Sequence, residues 1–433
     1  MQSPLPNTSI FIDSFARVAG VAGVYFLTHA HTDHTRGLSR GWRNGLLYCS
    51  KISADILVYR GIVSPSVLRV RHLEQPFEIT DQKHPGTPVT ATFLDANHCP
   101  GAIMVALEWP SGSAVVCTCD FRYTEAMWAS PTLRRIVDSK SCAALHYDAS
   151  WAHEALCNFP EKGDSVGMLL DLIERFPADQ RVIMHSHCMG DEDLLGAIAD
   201  HFPDETLLFA DKGRLDELKI CDFAYLSRCE LLPANGPCPA RHRFIIVSNA
   251  SQRRMDKRLD GVDAIEVSCS TLWWAKNFRR LDLDCYNPVR DEATGIWHVL
   301  FAMHSSDAEI QLFCARLSPQ RLHPICETIL EVAARDSQAA LLEVTTSTSA
   351  AASTSSSSRA MASDVAAAAS EPSPPDTLAM LHDSQWDMLA SHVGVPSLAR
   401  SLKRRRTATT EIDRDSSCSD TLPDDFDETP LLQ

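Results

Sequence analysis

The run His29-Ala30-His31-Thr32-Asp33-His34 places three imidazoles and a carboxylate within six residues. Packed together, such groups would each have to be desolvated and paired, a cost that a bound cation offsets by taking up their lone pairs. A string of the form H-x-H-x-D-H arises by chance at this chain's own His and Asp frequencies with odds on the order of 10⁻³. Zinc-class ions take imidazole nitrogen and carboxylate oxygen as ordinary ligands, so the run reads as a metal site, against the plainer alternative of a solvated polar loop. His29 and His31, one residue apart on an extended loop, can face one ion, while Asp33 and His34 turn toward a neighbouring one.

Two further ligands complete that reading. His98, in Asn97-His98-Cys99-Pro100-Gly101, supplies a third imidazole, and Asp120, in Cys119-Asp120-Phe121-Arg122, supplies a bridging oxygen. Two such ions ~3.5–4 Å apart lower the pKa of a bound water toward ~7 and clamp the attacking and leaving oxygens of an in-line displacement at phosphorus. The expected chemistry is hydrolysis without a covalent intermediate. His304 is then either a ligand of the second ion or the acid that protonates the leaving alkoxide; a histidine satisfied within the fold is the alternative.

Short apolar strands must deliver these groups. Ile10-Phe11-Ile12, Val24 to Leu27, Ala91 to Leu94, Ile103 to Leu107 and Ala114 to Thr118 read as strands broken by turn residues, and each polar cluster follows one of them. Loops at one edge of a sheet converge in this way on one site. From about Ala155 to Trp297 the pattern shifts to alternating helix and strand, the mark of a separate α/β unit. Asp164 is placed to cap a helix burying Val166, Leu169, Leu170, Ile173 and Phe176, followed by a strand from Arg181 to His185. A second helix buries Leu194, Leu195, Ile198 and Phe202, and strands are expected at Leu207 to Phe209, Phe244 to Val247 and Ala264 to Val267. A last strand from His298 to Met303 hands over at His304 to a helix opened by the capping box Ser306-Asp307-Ala308-Glu309.

The chain has 433 residues, a hydrophobic content of 45% and a net charge of −16, which argues against a surface that clings to nucleic acid everywhere and leaves room for a local basic groove. Fifteen cysteines without a CxxC framework point to reduced, buried thiols. No apolar run reaches the ~18 residues that span a bilayer, and the first residues lack the basic-then-apolar pattern of a secretory leader, so a soluble chain without membrane contact is expected. After about Ala334 the composition turns Ser-, Thr- and Ala-rich, which predicts disorder. Leu378 to Val393 within it has the spacing of a partner-binding amphipathic helix, and Lys403-Arg404-Arg405-Arg406 is a basic cluster of the nuclear-import kind.

Asp13 in Phe11-Ile12-Asp13-Ser14-Phe15, the His29 run, Asn97-His98-Cys99-Pro100-Gly101, Asp120-Phe121-Arg122, Leu145-His146-Tyr147-Asp148-Ala149-Ser150, Val267 to Trp274 and Phe301 to Ser306 occur in an order that resembles the metallo-β-lactamase/β-CASP family of DNA-repair nucleases. The likeness is greatest to its Artemis branch, with the Apollo and interstrand-crosslink-repair branches as relatives. The resemblance implies an α/β fold: a metallo-β-lactamase αββα sandwich over residues 1–154, an inserted β-CASP α/β domain over 155–298, a return to the sandwich over 299–334 and a disordered tail over 335–433. It further implies that His29, His31, His98 and Asp120 hold a first Zn²⁺, and that Asp33, His34 and Asp120 hold a second ion, Zn²⁺, Mg²⁺ or Mn²⁺, with His304 beside it. Asp13 would support the first loop from behind. Asp33, Asp120, Asp148 and His304 would form the catalytic set, with Ser150, Ser305 and Ser306 near the phosphate.

Three departures from the family pattern stand out. Cys119 replaces the usual Gly before the aspartate, so that its thiolate would crowd or join the metal site; Ala149-Ser150 replaces Thr-Thr; and the last family position, a Val or His, falls near Ile325-Cys326. Phosphate and base contacts are expected from Lys276, Arg279 and Arg280 after Trp273-Trp274, and from Arg253, Arg254, Lys257 and Arg258. The expectation is a nuclear 5′-exonuclease or structure-specific endonuclease acting on DNA ends, overhangs or hairpins in double-strand-break or crosslink repair, with repair partners recruited through the tail. The competing readings are an RNA-processing nuclease or small-molecule hydrolase on the same fold, and a nuclear interaction protein with a degenerate site.

Overall fold

The computed structural model describes residues 4–15, 21–152, 158–186, 189–277 and 286–326. Near the N-terminus, β1 (Ile10–Ile12), β2 (Gly23–Phe26), β3 (Gly45–Cys49) and β4 (Leu68–Val70) lie side by side as a parallel sheet, with α1 (Lys51–Tyr59) joining β3 to β4. A second sheet follows from β5 (Phe77–Thr80), β6 (Pro88–Asp95), β7 (Ile103–Glu108) and β8 (Ala114–Cys119), all antiparallel, and then, after α2 (Pro131–Asp138), β9 (Cys142–Tyr147) parallel to β8.

The chain next builds α3 (Lys162–Glu174), β10 (Arg181–His185), α4 (Glu192–His201), β11 (Leu207–Phe209), α5 (Lys212–Cys221), β12 (Cys229–Leu231), β13 (Phe244–Val247), α6 (Ala250–Met255), β14 (Ala264–Cys269), α7 (Thr271–Asn277), β15 (Val289–Arg290) and β16 (Trp297–Val299). Their strands form a seven-stranded sheet in the order β12-β11-β13-β10-β14-β16-β15, parallel except for the β15 edge. After α8 (Asp307–Leu317), β17 (Leu322–Pro324) pairs in parallel with β9, so the chain returns to the edge of the six-stranded sheet it had left.

Period-two alternation along the strands sorts their side chains into layers. Ile10, Ile12, Val24 and Phe26 meet Val89, Ala91, Phe93, Val105 and Leu107 between the first two sheets. Phe11, Tyr25 and Leu27 point the other way, onto Ala54 and Leu57 of α1. Leu94, Met104, Ala106 and Val116 face Leu133 and Ile136 of α2 and Ile310, Phe313 and Leu317 of α8. Helix, sheet, sheet, helix is the αββα order. The parallel sheet is covered on both faces: Val182, Met184, Phe244 and Ile246 meet α3, α4 and α5, while Ile183, Ile245 and Val247 meet Leu232 and Leu259. That double burial is why Phe244 to Val247 is apolar without alternation.

Local rules hold where short-range chemistry decides. Ser306 and Glu309 form the reciprocal capping box at α8. Asp164 does not cap its helix: α3 begins at Lys162 behind Glu161, and Asp164 lies within the first turn. The strand expected over His298–Met303 ends at Val299, because later carbonyls are taken by side chains instead of a neighbouring strand: Thr271 Oγ1 donates to Phe301, a ring nitrogen of His98 to Met303, and Arg122 to His304. The cysteines of the described residues are free thiols, mostly buried. Among the described residues no helix is long and apolar enough to cross a membrane. The expected disordered tail, with Leu378 to Val393 and Lys403 to Arg406, lies outside the described residues, as do Arg279 and Arg280.

Candidate metal centre

The strand ends of the sandwich turn sharply at three residues in the left-handed backbone region, Asp13 (φ 47°) after β1, Asn97 (φ 51°) after β6 and Cys119 (φ 46°) ending β8. Two of these are Asp and Asn, which tolerate that conformation; a cysteine there is strained, and glycine is the residue that fits it freely. The Cys119 thiol is not turned to the centre. It packs in the apolar layer between the first two sheets, where burial holds its pKa well above the usual thiol value, so the expectation that it crowds or joins the metal site does not hold.

His29, His31 and His98 converge. His29 Nε2 lies 2.9 Å from His31 Nδ1, and His98 Nε2 lies 3.2 Å from the same atom. The far nitrogen of each ring meets an oxygen: His31 Nε2 meets the Met189 carbonyl at 2.8 Å, His98 Nδ1 the Met303 carbonyl at 2.9 Å, and His29 Nδ1 Thr28 Oγ1 at 3.1 Å. A carbonyl can only accept, and the Thr28 hydroxyl already donates to Asp13, so these far nitrogens carry the protons. Burial holds all three pKa values below the ordinary histidine range and keeps the rings neutral. Three unprotonated nitrogens therefore point at one another, which is repulsive until a cation sits between them. The Cys99 sulfur falls within 4.8 Å of the same donors, a group that sequence reasoning did not count.

Asp120 sits at the junction. Its Oδ2 lies 3.7 Å from both His29 Nε2 and His98 Nε2, 3.2 Å from His34 Nε2 and 4.0 Å from His304 Nε2. Asp33 approaches His34 Nε2 at 3.5 Å with a side chain 65% exposed. Here the far nitrogens meet carboxylates: His34 Nδ1 pairs with Asp13 Oδ2 and His304 Nδ1 with Asp148 Oδ2, each at 2.7 Å. Burial opposes charge on both rings, but Asp120 and Asp13 outweigh it at His34, and Asp148 and Asp120 outweigh it at His304, whose pKa rises to about 9. Burial likewise opposes charge on Asp120, yet His34 and His304 hold its pKa well below the usual carboxylate range. Asp13 also accepts from Thr28 N at 2.9 Å, which braces the first loop from behind.

Other expected residues divide. The Ser150 hydroxyl donates to Asp148 at 2.7 Å and closes a local turn. Ser305 and Ser306 do not reach the centre: Ser305 donates to the Phe121 carbonyl and accepts from Tyr123 N, and Ser306 caps α8. Both are buried, so the expected phosphate contact is corrected to a structural role. Lys276 is exposed on α7. Arg253 and Arg258 are committed within the seven-stranded unit, Arg253 to the Leu259 carbonyl and Glu266, Arg258 to Asp256 and the Ala210 carbonyl, while Arg254 and Lys257 stay exposed. Cys326 Sγ lies 3.7 Å from Asp148 Oδ1, which gives the unplaced last family position a neighbour in the centre.

Sequence reasoning missed the groups that hold the ligands. Arg122 is buried and ties the His304 carbonyl to Glu309 of α8; its place in Asp120-Phe121-Arg122 was the available signal. The Met189 and Met303 carbonyls left none, since every residue type has one.

Residues 246–328 match a family model described as DNA repair metallo-beta-lactamase. The chain is 28% identical over 324 residues to the 5′ exonuclease Apollo of Rattus norvegicus, covering 74% of this chain and 54% of that protein. It is 30% identical over 330 residues to the 5′ exonuclease Apollo of Gallus gallus, covering 74% and 62%. Against the DNA cross-link repair protein SNM1 of Arabidopsis thaliana the figures are 27% over 329 residues, 74% and 64%. The chain thus spans between half and two thirds of the length of these curated relatives, which fall in the two branches set beside the Artemis one above. A solved isothiocyanate hydrolase from Delia radicum gut bacteria aligns with 50% of this chain and 76% of its own at 14% identity and a TM-score of 0.23, too low to bear on the fold. Built as an αββα sandwich and matched in this way, the chain is similar to the DNA-repair nucleases of the metallo-β-lactamase/β-CASP family, and residues 246–328 match the DNA repair metallo-beta-lactamase model.

Proposed function

We propose that this chain is a metal-dependent phosphodiesterase that cuts DNA, as a 5′-exonuclease, a structure-specific endonuclease or both, in double-strand-break or interstrand-crosslink repair. The observation that carries the proposal is the convergence of three neutral imidazoles on one point beside a carboxylate that faces a second pair of rings. His29, His31, His98 and Asp120 would hold the first ion, and Asp33, His34 and Asp120 the second. Zinc suits the first donor set, and zinc, magnesium or manganese the more carboxylate-rich second. When bound, such ions lower the pKa of water and neutralise charge that builds on phosphate oxygens.

The chain's own residues do the rest. Asp148 holds His304 by Nδ1, so that Nε2 keeps its proton on the side facing Asp120, positioned to protonate a leaving alkoxide. Asp33, the most open member of the set, would be the first of these side chains to meet an entering strand. We assign residues 1–154 and 299–334 to the metallo-β-lactamase part and 155–298 to the β-CASP insertion. Lys276, Arg279, Arg280 and Ser150 are the proposed phosphate contacts, and Lys403 to Arg406 the proposed nuclear address, with partner proteins drawn to the tail.

The test is cleavage by the purified full chain of labelled single-stranded, overhang and closed-hairpin DNA, with RNA of the same sequences, in Zn²⁺, Mg²⁺ or Mn²⁺. We expect DNA cleavage that depends on the metal. No cleavage under any of these conditions rejects the proposal, and preferential cleavage of RNA moves the chain to the RNA-processing branch.

A further inference from the structure

Two ligands of the buried half lean on residues outside the sandwich strands. His31 donates to the carbonyl of Met189, and Ser186 and the described residues from Met189 to Glu192 are held from behind by Arg214. Arg214, on α5, is buried; its Nε donates to Ser186 Oγ at 3.1 Å, and its Nη2 donates to Asp191 Oδ1 at 2.7 Å and Glu192 Oε1 at 2.8 Å. The carboxylates then hold the turn itself: Ser186 donates to Asp191 Oδ1 at 3.0 Å, and Gly190 N donates to Glu192 Oε2 at 2.5 Å. Gly190 has φ +125°, and a Cβ there would fall 1.9 Å from Met303 Sδ, so the same turn presses on the residue whose carbonyl fixes His98.

The helix that carries Arg214 reaches the ligand loop a second time. Glu217 pairs with Nε of Arg60, which caps the C-terminus of α1, at 2.7 Å, and Arg60 Nη1 donates to the carbonyl of Ala30, between His29 and His31. A buried cluster of charges is seldom the most stable filling for a core, since an apolar one of equal volume does as well or better; what it supplies is a fixed arrangement. Arginine is the residue for this place, because its planar fork holds donors on two separated nitrogens, Nε for Ser186 and Nη2 for Asp191 and Glu192, where lysine has only a single nitrogen.

We propose that Arg214 is a positioning residue for the first metal ion: through Ser186, Asp191 and Glu192 it fixes the Met189 carbonyl, and through that carbonyl the His31 tautomer whose Nδ1 faces the ion. The inference rests on the metal reading above. It makes the seven-stranded unit an outer layer of the metal centre, beyond any part it has in holding DNA. Outer partners of metal-bound histidines set affinity, typically by about 10- to 100-fold.

The experiment measures zinc affinity of the full chain by chelator competition, together with the visible spectrum of its Co²⁺ form. Arg214→Lys keeps the charge that balances the two carboxylates and loses the fork; we expect it to fold and to bind zinc about tenfold or more weakly, with a shifted Co²⁺ spectrum. Arg181→Lys is the control, since Arg181 at the far end of β10 donates to the His242 and Pro239 carbonyls and to Cys238 Sγ, and to none of the groups that hold the Met189 turn. It should leave affinity and spectrum unchanged. Should Arg214→Lys fail to fold, Arg214→Met with Asp191→Asn and Glu192→Gln removes every charge together and is expected to show the same loss. A folded variant with unchanged affinity overturns the inference, as does an equal loss in Arg181→Lys. Absence of zinc from the wild-type chain would overturn instead the metal reading beneath it.

Discussion

The two halves of the centre are built from the same side chains with opposite caps. In the buried half the His31 and His98 rings are capped by backbone carbonyls and His29 by a hydroxyl, and all three stay neutral with their lone pairs turned inward. In the open half His34 and His304 are capped by the carboxylates of Asp13 and Asp148, and both keep a proton well above the ordinary histidine pKa. An imidazole capped by a carbonyl is ready for a cation; one capped by a carboxylate must first give up its proton. Exposure follows the same division, from none at His29 and His98 to 65% at the Asp33 side chain. A resident ion is therefore expected in the first half, and in the second one that exchanges or arrives with substrate phosphate.

The largest effect should come from the buried half. His98→Ala leaves two imidazoles and a cavity; bound zinc should fall to near zero and DNA cleavage by more than about a hundredfold, exceeding what loss of an outer partner does. Metal analysis of the purified variant checks this, and retention of a full zinc ion would erase the distinction between the halves. Asp33→Asn should abolish cleavage by a similar factor and yet keep its tightly held zinc through a brief chelator wash. If zinc leaves as readily as from His98→Ala, the two ions are not independent.

A smaller effect lies in stability against pH. His304 has a folded pKa of about 9 against ~6.5 unfolded, so its contribution is fully present below ~6.5 and is lost as pH rises through 9. In metal-free protein the melting temperature should fall across that window, by an amount corresponding to roughly 3 kcal/mol. The raised pKa of His34 adds in the same direction. Asp148→Asn should flatten the fall, and zinc loading should remove it; a metal-free chain equally stable at pH 6.5 and 9.5 would contradict the protonated state of the open half.

The smallest effect is expected at Cys119. Replacing it by Gly relieves a left-handed backbone that costs about 1 kcal/mol and gives up a buried thiol worth a similar amount, so stability should change by less than about 1 kcal/mol and zinc content not at all. Loss of a sulfur-to-cobalt absorption band in Cys119→Gly would put the thiol in the first half after all.

What could be read from the linear chain was whatever depends on residue type and short spacing. His29 to His34, His98 and Asp120 announce donor atoms at the ends of apolar strands, and the Ser306–Glu309 box marks its helix, because a ligand atom or a cap is a property of the residue itself. Hydroxyls and cations were less legible. Ser305 looked like a phosphate contact until Phe121 and Tyr123 took both sides of its oxygen, and Arg258 looked like a DNA contact until Asp256 and the Ala210 carbonyl took its fork. Such groups bond to whatever the fold brings near.

Sequence alone thus determined that the chain carries a histidine and carboxylate set able to hold metal, in an α/β order of elements. Only the tertiary structure decided which nitrogen of each ring faces inward, because that choice is made by partners far along the chain: Met189 for His31, Met303 for His98, Asp13 for His34 and Asp148 for His304. Two of those partners are backbone carbonyls, which every residue has; their identity exists only once the seven-stranded sheet and the segment leading from it to α8 have been folded against the sandwich.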